Sequence, residues 1–430
     1  MPAADDPIAL LLAGRYPDPE TGELLRSESL SIAIEDSLDG MEAELLRSLS
    51  LGKRLALIAD ERTYAALGAR VERAISGAFD VQRLVKLGTV HADGETIARL
   101  ASELEPGIDA VVAVGSGTLS DLSKMVALER NIPQVVFATA PSMNGYTSLS
   151  ASVTIGGIKR SVRARTPVAA FFDLSVLAAA PRRMIQAGLG DSSCRPTAQA
   201  DWLLSHLLLG RPYREAPFAL LAGDEPALFA EAGALVSGDL AAMRRLVRTL
   251  VLSGFGMTMC GGSFPASQGE HLLSHYAEMM RPEGAPEALH GEQIGVCALA
   301  MARIQDRLLA RDAPPVIRPS TITREAVVTH FGALTGVACW TELAPKLFDA
   351  ARAEEVTADL ARRWDAIRAR LVAVTHGAER MGKVLAEVGA PATPEALGWP
   401  AQLMADALAH ARLIRNRYTF LDFAADAFWE

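Results

Sequence analysis

The sequence predicts an α/β part built around a mostly parallel sheet, followed by an all-helical part. Up to about residue 181, short apolar runs rich in β-branched residues alternate with amphipathic stretches. That alternation is typical of strand–helix–strand units, whose parallel strands are covered by helices on both faces. Beyond this point, long helical stretches follow one another with almost no strand signal. We therefore expect two domains, 1–183 and 184–430.

The elements of the first part follow from their local patterns. Apolar runs bounded by polar or glycine residues predict strands in RLALIAD, DVQRLVKLG, DAVVAVG and PQVVFAT. Apolar residues three and four apart predict helices over residues 61–75 and in ETIARLASELE and LSDLSKMVALERN. In the second part, PALFAEAGALVSGDLAAMRRLVRTLVL and EEVTADLARRWDAIRARLVAVT are typical of long helices.

Composition excludes several classes of protein. The formal net charge of −9 argues against a nucleic-acid-binding protein, which normally carries a basic face. The four cysteines form no CxxC pair, which favours a reducing compartment over a disulfide framework. The N-terminus has acids before a short apolar stretch and lacks the basic region of a signal peptide, and no apolar run has the length of a membrane span. We expect a cytoplasmic protein that binds neither nucleic acid nor membrane.

The strand DAVVAVG runs into GSGTLSDLSK, where Gly115 and Gly117 flank Ser116 just before a predicted helix. Glycines let the backbone approach a pyrophosphate, and the helix N-terminus offers free N–H groups. The motif is not the GxGxxG of a first Rossmann turn, and a plain strand-to-helix turn explains it equally well. We expect the N-terminal domain to be a nucleotide-binding domain.

Asp60 ends the first predicted strand. An acid at this place can bind the ribose hydroxyls of NAD and would repel the 2′-phosphate of NADP. It can also cap the helix that begins in ERTYAALG, and the two roles are compatible.

Asp191 and three histidines stand out in the helical part. His271 and His275 are four residues apart and so share one helix face, while His290 follows a turn signal, RPEGAPE. One carboxylate and two imidazoles are a common ligand set for a catalytic divalent ion. A helical hairpin that merely carries histidines is the alternative.

Seven segments together resemble the sn-glycerol-1-phosphate dehydrogenase family, within the superfamily of iron-containing alcohol dehydrogenases and dehydroquinate synthases. They occur in the family's order from about residue 50 to the end: GSGTLSDLSK, ATAPSMNGYTSLSAS, GGIKRSV, AGLGDSSCRPTAQADW, SQGEHLLSHY, ALHGEQIGV and IRNRYTFLD. The resemblance implies the dehydroquinate synthase-like fold, an NAD(H) or NADP(H) cofactor and one divalent metal, with zinc favoured and nickel or iron as alternatives. Because relatives are often dimers or larger, we also expect a homo-oligomer.

The resemblance also assigns site residues. It implies a metal ligand set of Asp191, His271 and His290, with His275 near the nicotinamide, where it could relay a proton or pack as a helix-face histidine. The implied cofactor residues are Gly115, Ser116, Gly117, Thr118 and Asp121 at the dinucleotide phosphates, with Thr139, Ser142 and Ser148 further along the cofactor.

The chain departs from the family at the implied substrate site. Asn144 stands where relatives usually have an aspartate that touches substrate hydroxyls, and Arg195 stands where they usually have lysine. If Asp191 and Arg195 share a helix, the guanidinium lies one turn further on the same face, and it suits a phosphate or carboxylate. Pro196 argues for a later helix start, because proline fits only a first turn.

These features predict an NAD(P)-linked dehydrogenase for a small polyol phosphate, with glycerol 1-phosphate and dihydroxyacetone phosphate as the expected pair. The departures at Asn144 and Arg195 leave open a related dehydrogenase with another polyol or phosphonate substrate. A sugar-phosphate cyclase of the dehydroquinate synthase kind and a binding protein that has lost activity are further alternatives.

Overall fold

A computed structural model describes residues 6–155, 158–282 and 284–427, without the side chains of residues 158–160. The chain forms two compact units. The α/β unit combines the residues up to 192 with residues 215–263, and the helical unit combines residues 193–214 with those from 264 on. The domain division expected at residue 183 stays a prediction, but the packing units differ from it because residues 184–192 and 215–263 pack with the sheet-containing part.

All strands described by the structure belong to the α/β unit. In chain order they are β1 (Tyr16–Pro17), β2 (Leu24–Leu25), β3 (Ser31–Glu35), β4 (Arg54–Asp60), β5 (Asp80–Lys86), β6 (Ala110–Gly115), β7 (Gln134–Ala138), β8 (Ser150–Ile155), β9 (Ile158–Arg163) and β10 (Ala169–Asp173).

Six of these strands form one sheet in the order β3-β10-β7-β6-β4-β5, and every pair in it is parallel. The predicted mostly parallel sheet is thus confirmed. β3 and β10 were not among the strands predicted from the sequence, because periodicity alone does not separate such a short run from a piece of helix. β1–β2 and β8–β9 form separate antiparallel pairs.

The helices α1–α8 and α10–α12 belong to the α/β unit, and the others to the helical unit. Their bounds are α1 (Pro7–Leu12), α2 (Glu42–Ser48), α3 (Glu61–Thr63), α4 (Ala69–Ile75), α5 (Gly94–Glu103), α6 (Gly117–Glu129), α7 (Leu174–Ala178), α8 (Arg182–Ser192), α9 (Arg195–Leu209), α10 (Ala216–Ala219), α11 (Glu225–Ala230), α12 (Leu240–Met259), α13 (Gly269–Met280), α14 (His290–Leu309), α15 (Arg324–Phe331), α16 (Ala333–Leu343), α17 (Ala350–Val372), α18 (Ala378–Val388), α19 (Ala401–His410) and α20 (Phe420–Asp426).

Two helix predictions differ in detail from the structure. A π-helical turn, Tyr64–Gly68, joins α3 to α4, so the expected helix over residues 61–75 is continuous but locally wider. The stretch expected as one long helix is broken, because a 3₁₀ turn over Ala232–Ser237 and Gly238 in the left-handed conformation separate α11 from α12.

Each unit has its own apolar core. Alternate side chains of the central strands enter the layers on the two faces of the sheet, such as Leu57 on one face and Ile58 on the other. The core of the helical unit contains Trp364, Phe420 and Phe423. Among the described residues, no helix combines the length and the apolar character needed to cross a bilayer.

Candidate functional site

The loop between β6 and α6 is a tight turn that opens a helix. A Cβ atom on Gly115 would lie 2.5 Å from side-chain atoms of Leu119, so glycine is required there. Ser116 precedes α6 and, within the described residues, its side chain makes no capping hydrogen bond. Gly117 is half-buried and Thr118 is exposed. The first N–H groups of α6 therefore have the arrangement that binds phosphate at other helix N-termini.

Asp60, at the end of β4, caps the following helix. Its Oδ1 accepts the Thr63 N–H at 2.8 Å, and the Thr63 hydroxyl oxygen accepts the Asp60 N–H at 3.1 Å. The capping role foreseen for Asp60 is therefore present. The carboxylate is half-buried at the same edge of the sheet where β6 ends, because the strands are parallel and Ile58 pairs with Ala113.

Residues 139–150, here called the 139–150 loop, follow β7 and extend to Ser150, the first residue of β8. The Thr139 N–H donates to the Gly115 carbonyl at 3.1 Å, which places the loop's start beside the β6–α6 turn. The buried Tyr146 hydroxyl donates to the Ala140 carbonyl at 2.6 Å. Burial raises the pKa of Tyr146, although a hydrogen bond with the half-buried Ser142 opposes this.

The centre of the loop is tied to α8 and α12 within the α/β unit. The Asn144 N–H donates to Asp191 Oδ2 at 2.8 Å, and the Asn144 side-chain amide donates to Ser253 Oγ at 3.3 Å. The Thr147 hydroxyl donates to the Val251 carbonyl at 2.8 Å. Asp191 is 1 % exposed. Its carboxylate thus holds the backbone of Asn144 in place.

Two glycines allow this close approach. A Cβ atom on Gly188 of α8 would lie 1.7 Å from the Pro141 carbonyl oxygen. One on Gly254 of α12 would lie 2.1 Å from Thr147 Oγ1 and 2.7 Å from the Asn144 carbonyl oxygen. Any larger residue would displace the loop, because real Cβ atoms do not approach backbone atoms so closely.

Asp121 and Ser148 are buried and engaged with the protein. Asp121 Oδ2 accepts the Ser152 N–H at 3.0 Å. The Ser148 hydroxyl lies 3.1 Å from the Gly145 carbonyl oxygen and 3.0 Å from that of Ser150. Both side chains shape the 139–150 loop, and their direct contact with a dinucleotide stays a prediction.

In the helical unit, α13 and α14 bring three histidines together. The ring centroids of His271 and His290 lie 5.1 Å apart, and that of His275 lies 6.0 Å from His271 and 6.4 Å from His290. His271 and His275 occur one turn apart on α13, and His290 begins α14. The expected pair of helices on either side of the turn is present.

Glu270 orients one of these rings. Its Oε1 lies 2.9 Å from His271 Nδ1 and accepts the Gln268 N–H at 2.8 Å, and the side chain is fully buried. A carboxylate at Nδ1 favours the proton on that nitrogen, and the Nε2 lone pair then has the character of a metal ligand. Donor atoms of Cys194, Glu270 and His271 also lie within 4.8 Å of one another, although the Cys194 thiol donates to the Ala266 carbonyl.

His275 is 15 % exposed at its side chain. Burial, together with the positive charge of Arg415, lowers its pKa to about 4, although Glu278 opposes the shift through a contact of 3.4 Å with Nδ1. The ring is therefore neutral near pH 7, and a neutral imidazole can accept a proton.

Arg195 does not share a helix with Asp191. α8 ends at Ser192 and α9 begins at Arg195, with Pro196 in its first turn. The condition for one-turn alignment is therefore not met, because proline lacks the N–H that would continue α8. In the helical unit the Arg195 guanidinium donates to Gln199 Oε1 at 2.6 Å. Burial, and secondarily Arg195, lowers the pKa of His376 to about 4.

Sequence inspection missed Glu270 and Lys124. Glu270 precedes a predicted ligand, and a carboxylate beside a ligating histidine is a signal that could have identified it. Lys124, at the end of GSGTLSDLSK, donates to carbonyls of the 139–150 loop, and no local pattern marks such a long-range contact.

Comparison with known proteins relates most of the chain to one family. A family model described as iron-containing alcohol dehydrogenase matches residues 33–181. The chain is 30 % identical over 403 residues to a glycerol-1-phosphate dehydrogenase [NAD(P)+] of Bacillus velezensis, covering 91 % of each chain. It is 32 % identical over 314 residues to the protein of that name from Thermococcus kodakarensis, covering 70 % of this chain and 88 % of the relative.

The fold is also found in solved structures. The structure of glycerol dehydrogenase from Schizosaccharomyces pombe matches with a TM-score of 0.64 at 14 % identity, covering 93 % of this chain and 88 % of the other. At that identity the likeness shows the fold, which agrees with the predicted parallel sheet and helical second part.

Proposed function

The chain belongs to the glycerol-1-phosphate dehydrogenase family, and on this basis we propose that it transfers a hydride between NAD(P)(H) and a small polyol phosphate. The pair that we favour is glycerol 1-phosphate and dihydroxyacetone phosphate. The observation that carries the proposal is the similarity to a relative of that activity over 91 % of both chains, which includes both compact units.

We propose that the dinucleotide lies at the carboxyl edge of the parallel sheet, where open α/β sheets bind ligands. β6 and β7 end together there, since Gly115 pairs with Ala138. Asp60 would accept hydrogen bonds from the ribose hydroxyls. Its negative charge would repel the 2′-phosphate of NADP, which favours NAD. The remaining cofactor residues would be Gly115, Ser116, Gly117, Thr118 and Asp121 at the phosphates, and Thr139, Ser142 and Ser148 further along.

We propose that Asp191, His271 and His290 hold one divalent ion, with zinc favoured over nickel or iron. The neighbouring His271 and His290 rings and the carboxylate at His271 Nδ1 support this set, because ligating imidazoles usually carry such a second hydrogen bond. One carboxylate and two imidazoles suit several divalent ions. When bound, the ion would polarise the substrate oxygen and lower the pKa of the alcohol.

We propose that three residues act on the substrate: Asn144, Arg195 and His275. The Asn144 amide can donate to and accept from hydroxyls without adding charge. Arg195 would contribute a cation for a phosphate, although Gln199 already binds its guanidinium. His275, neutral near pH 7 and in contact with Glu278 through Nδ1, would accept a proton at Nε2.

The uncharged Asn144 also favours a second candidate, a dehydrogenase of the same chemistry with another polyol or a phosphonate as its substrate. A sugar-phosphate cyclase of the dehydroquinate synthase kind is the third candidate. A cyclase of this kind recycles the nicotinamide within each turnover. The two are distinguishable, since a cyclase shows no net change in nicotinamide absorbance.

The test is an assay at 340 nm on protein of measured metal content. NADH and NADPH are supplied with dihydroxyacetone phosphate, and NAD(P)+ is supplied with glycerol 1-phosphate or glycerol. Metal-dependent oxidation of NADH with dihydroxyacetone phosphate is the expected result. No change in absorbance at 340 nm with any of the three substrates, despite bound metal and NADH, would contradict the favoured pair and point to the second or third candidate.

The variant Asn144→Asp gives this assay an internal comparison, because it restores the relatives' residue. If Asn144 selects a different substrate, N144D raises kcat/KM for dihydroxyacetone phosphate. If the natural substrate is glycerol 1-phosphate, N144D leaves kcat/KM within about tenfold, which corresponds to about 1.4 kcal/mol.

We further propose that the enzyme acts as a cytoplasmic homo-oligomer. All four cysteines are free, which suits a reducing compartment. Sedimentation of the purified protein tests the oligomeric state, and a monomer at micromolar concentration would contradict that part of the proposal.

A further inference from the structure

Lys124 lies in the middle of α6 with 1 % of its surface exposed. Its ammonium group donates to three backbone carbonyls of one chain segment, those of Gly145 at 2.9 Å, Ser148 at 3.1 Å and Ser150 at 3.0 Å. An ammonium group has three N–H donors and no acceptor. The three carbonyls therefore use its full donor capacity, and none remains for a cofactor or a substrate.

The charge of Lys124 is compensated by these carbonyl dipoles and by one carboxylate. The carboxylate of Asp121, one turn earlier on α6, lies 4.0 Å from the ammonium and also accepts the Ser152 N–H. Burial lowers the pKa of Lys124, although Asp121 opposes this. Carbonyl oxygens around a buried cation are strong acceptors because the surroundings screen little.

The three carbonyls define the end of the 139–150 loop. Gly145 follows Asn144 directly, and Ser148 is itself a proposed cofactor residue. The middle of the loop has other anchors, namely the Asn144 N–H on Asp191 and the Thr147 hydroxyl on the Val251 carbonyl. Lys124 adds the fixed point from α6, the helix whose first turn is the proposed phosphate site.

We propose that Lys124 is a positioning residue that fixes residues 145–150 relative to the N-terminus of α6, so that Asn144 and Ser148 face substrate and cofactor in the productive arrangement. This inference rests on the proposed function. It assigns Lys124 no contact with the reacting atoms. A misplacement of about 1 Å can lower a rate by about a hundredfold, so such a group matters without touching the substrate.

The test compares Lys124→Met and Lys124→Ala with the unaltered metal-loaded protein. We expect NADH, followed by its fluorescence, to bind 10- to 100-fold more weakly to K124M, with the metal content unchanged. Hydrogen exchange should quicken in residues 142–152 and not in α13. In K124A, methylammonium should restore part of the NADH affinity by donating to the same carbonyls, whereas tetramethylammonium, which has no N–H donor, should not.

Lys346→Met is the matched control, because Lys346 is another buried lysine that donates to carbonyls, but in the helical unit. It should lose stability while the folded protein keeps its NADH affinity. Unchanged NADH affinity and exchange in K124M would overturn the proposal. A uniform rise in hydrogen exchange along the chain of K124M would also overturn it, because that result indicates a lysine that only stabilises the fold. If K124M does not fold, the same NADH-binding and exchange measurements are made on Lys124→Gln.

The exchange measurement also separates the two levels of inference. If the unaltered protein binds no nicotinamide at all, the proposed function fails, yet the exchange of residues 142–152 still decides whether Lys124 fixes the loop. If it binds NADH but K124M behaves like the unaltered protein, only the positioning role fails.

Discussion

Two lysines among the described side chains, one in each compact unit, are buried, and they differ in the partners that surround their charge. Lys124 is 1 % exposed and Lys346 is 3 % exposed, and burial lowers the pKa of both. Lys346 ends a short 3₁₀ turn, Ala344–Lys346, and donates to the Arg412 carbonyl at 2.6 Å and the Arg417 carbonyl at 2.8 Å. Its Nζ also lies 2.8 Å from a carboxylate oxygen of Asp422, whereas Lys124 lies 4.0 Å from that of Asp121.

The difference lies in what remains when the lysine is removed. Without Lys346, the Asp422 carboxylate, which is 1 % exposed, keeps the more distant Arg412, 3.7 Å away, as a cationic partner. Without Lys124, the groups left behind are neutral carbonyls and the more distant Asp121 carboxylate, which still accepts the Ser152 N–H. A buried unpaired charge costs far more than an unmet dipole. We infer that Lys346 mainly maintains the fold of the helical unit, whereas Lys124 mainly sets the position of a loop.

Replacing Lys346 should have the largest effect on stability. K346M leaves Asp422 incompletely paired, and we expect the free energy of unfolding to fall by about 3–5 kcal/mol. Urea denaturation followed by circular dichroism measures it. Substituting both partners, as in K346M/D422N, should recover much of the loss. If K124M is destabilised more than K346M, the contrast between the two lysines is wrong.

Gly188→Ala should move the 139–150 loop without touching Lys124. The added methyl group meets the Pro141 carbonyl oxygen at 1.7 Å, so we expect a loss of about 1–3 kcal/mol in unfolding free energy and weaker NADH binding. Gly382→Ala in α18 is the control, because only Leu299 lies near its Cβ position, at 3.8 Å. G382A should be neutral or slightly stabilising, and normal NADH affinity in G188A would argue against a fixed loop.

Glu270→Gln tests the contact that orients the His271 ring in the helical unit. This contact depends on a side-chain carboxylate, whereas Lys124 holds its loop through backbone carbonyls. We expect the metal to bind about 10–100-fold more weakly, because second hydrogen bonds to ligating histidines have that effect. Competition with a chromogenic chelator measures the affinity. Cys194→Ser is the control that should retain metal binding. If C194S lost metal affinity while E270Q kept it, Cys194 would be favoured as a metal ligand instead.

The smallest expected effect is a pH dependence in the network around Lys346. Burial raises the pKa of Asp426 to about 6, although Arg412, which donates to it at 3.1 Å, opposes the shift. A carboxyl group with a raised pKa stabilises the fold at low pH, and this contribution is lost as the pH rises through about 6. Relative to Asp426→Asn, the unaltered protein should lose about 1 kcal/mol between pH 5 and pH 7. A parallel pH profile for the two proteins would contradict this assignment.

Much of the α/β unit was predictable because its signals are local. The strand RLALIAD coincides with β4, Arg54–Asp60, and the helix expected in ETIARLASELE coincides closely with α5, Gly94–Glu103. Apolar runs and helical periodicity act within a few residues of each other. The edge strand β3 and its neighbour β10 were not predicted, because their pairing partners, not their own patterns, make them strands.

The site divides along the same line. The glycine loop after β6 and the His271–His275 spacing are properties of neighbouring residues, so the sequence alone indicates them. Whether Arg195 shares a helix with Asp191 depends on where α8 ends. The sequence offers only Pro196 as a sign of a break, whereas the structure shows that α8 ends at Ser192 and that α9 begins at Arg195. Local chemistry identified the candidates, but not their orientation.

By itself, the sequence determined the alternation of strands and helices in the first part of the chain, the helical character of the second part and the family to which the chain belongs. Only the tertiary structure decided which groups meet: Lys124 with three carbonyls of the 139–150 loop, Gly188 with the Pro141 carbonyl, and Glu270 with Nδ1 of His271. The reason is physical. Periodicity and capping depend on residues within one or two turns, whereas a buried charge finds its partners through the packing of the whole unit.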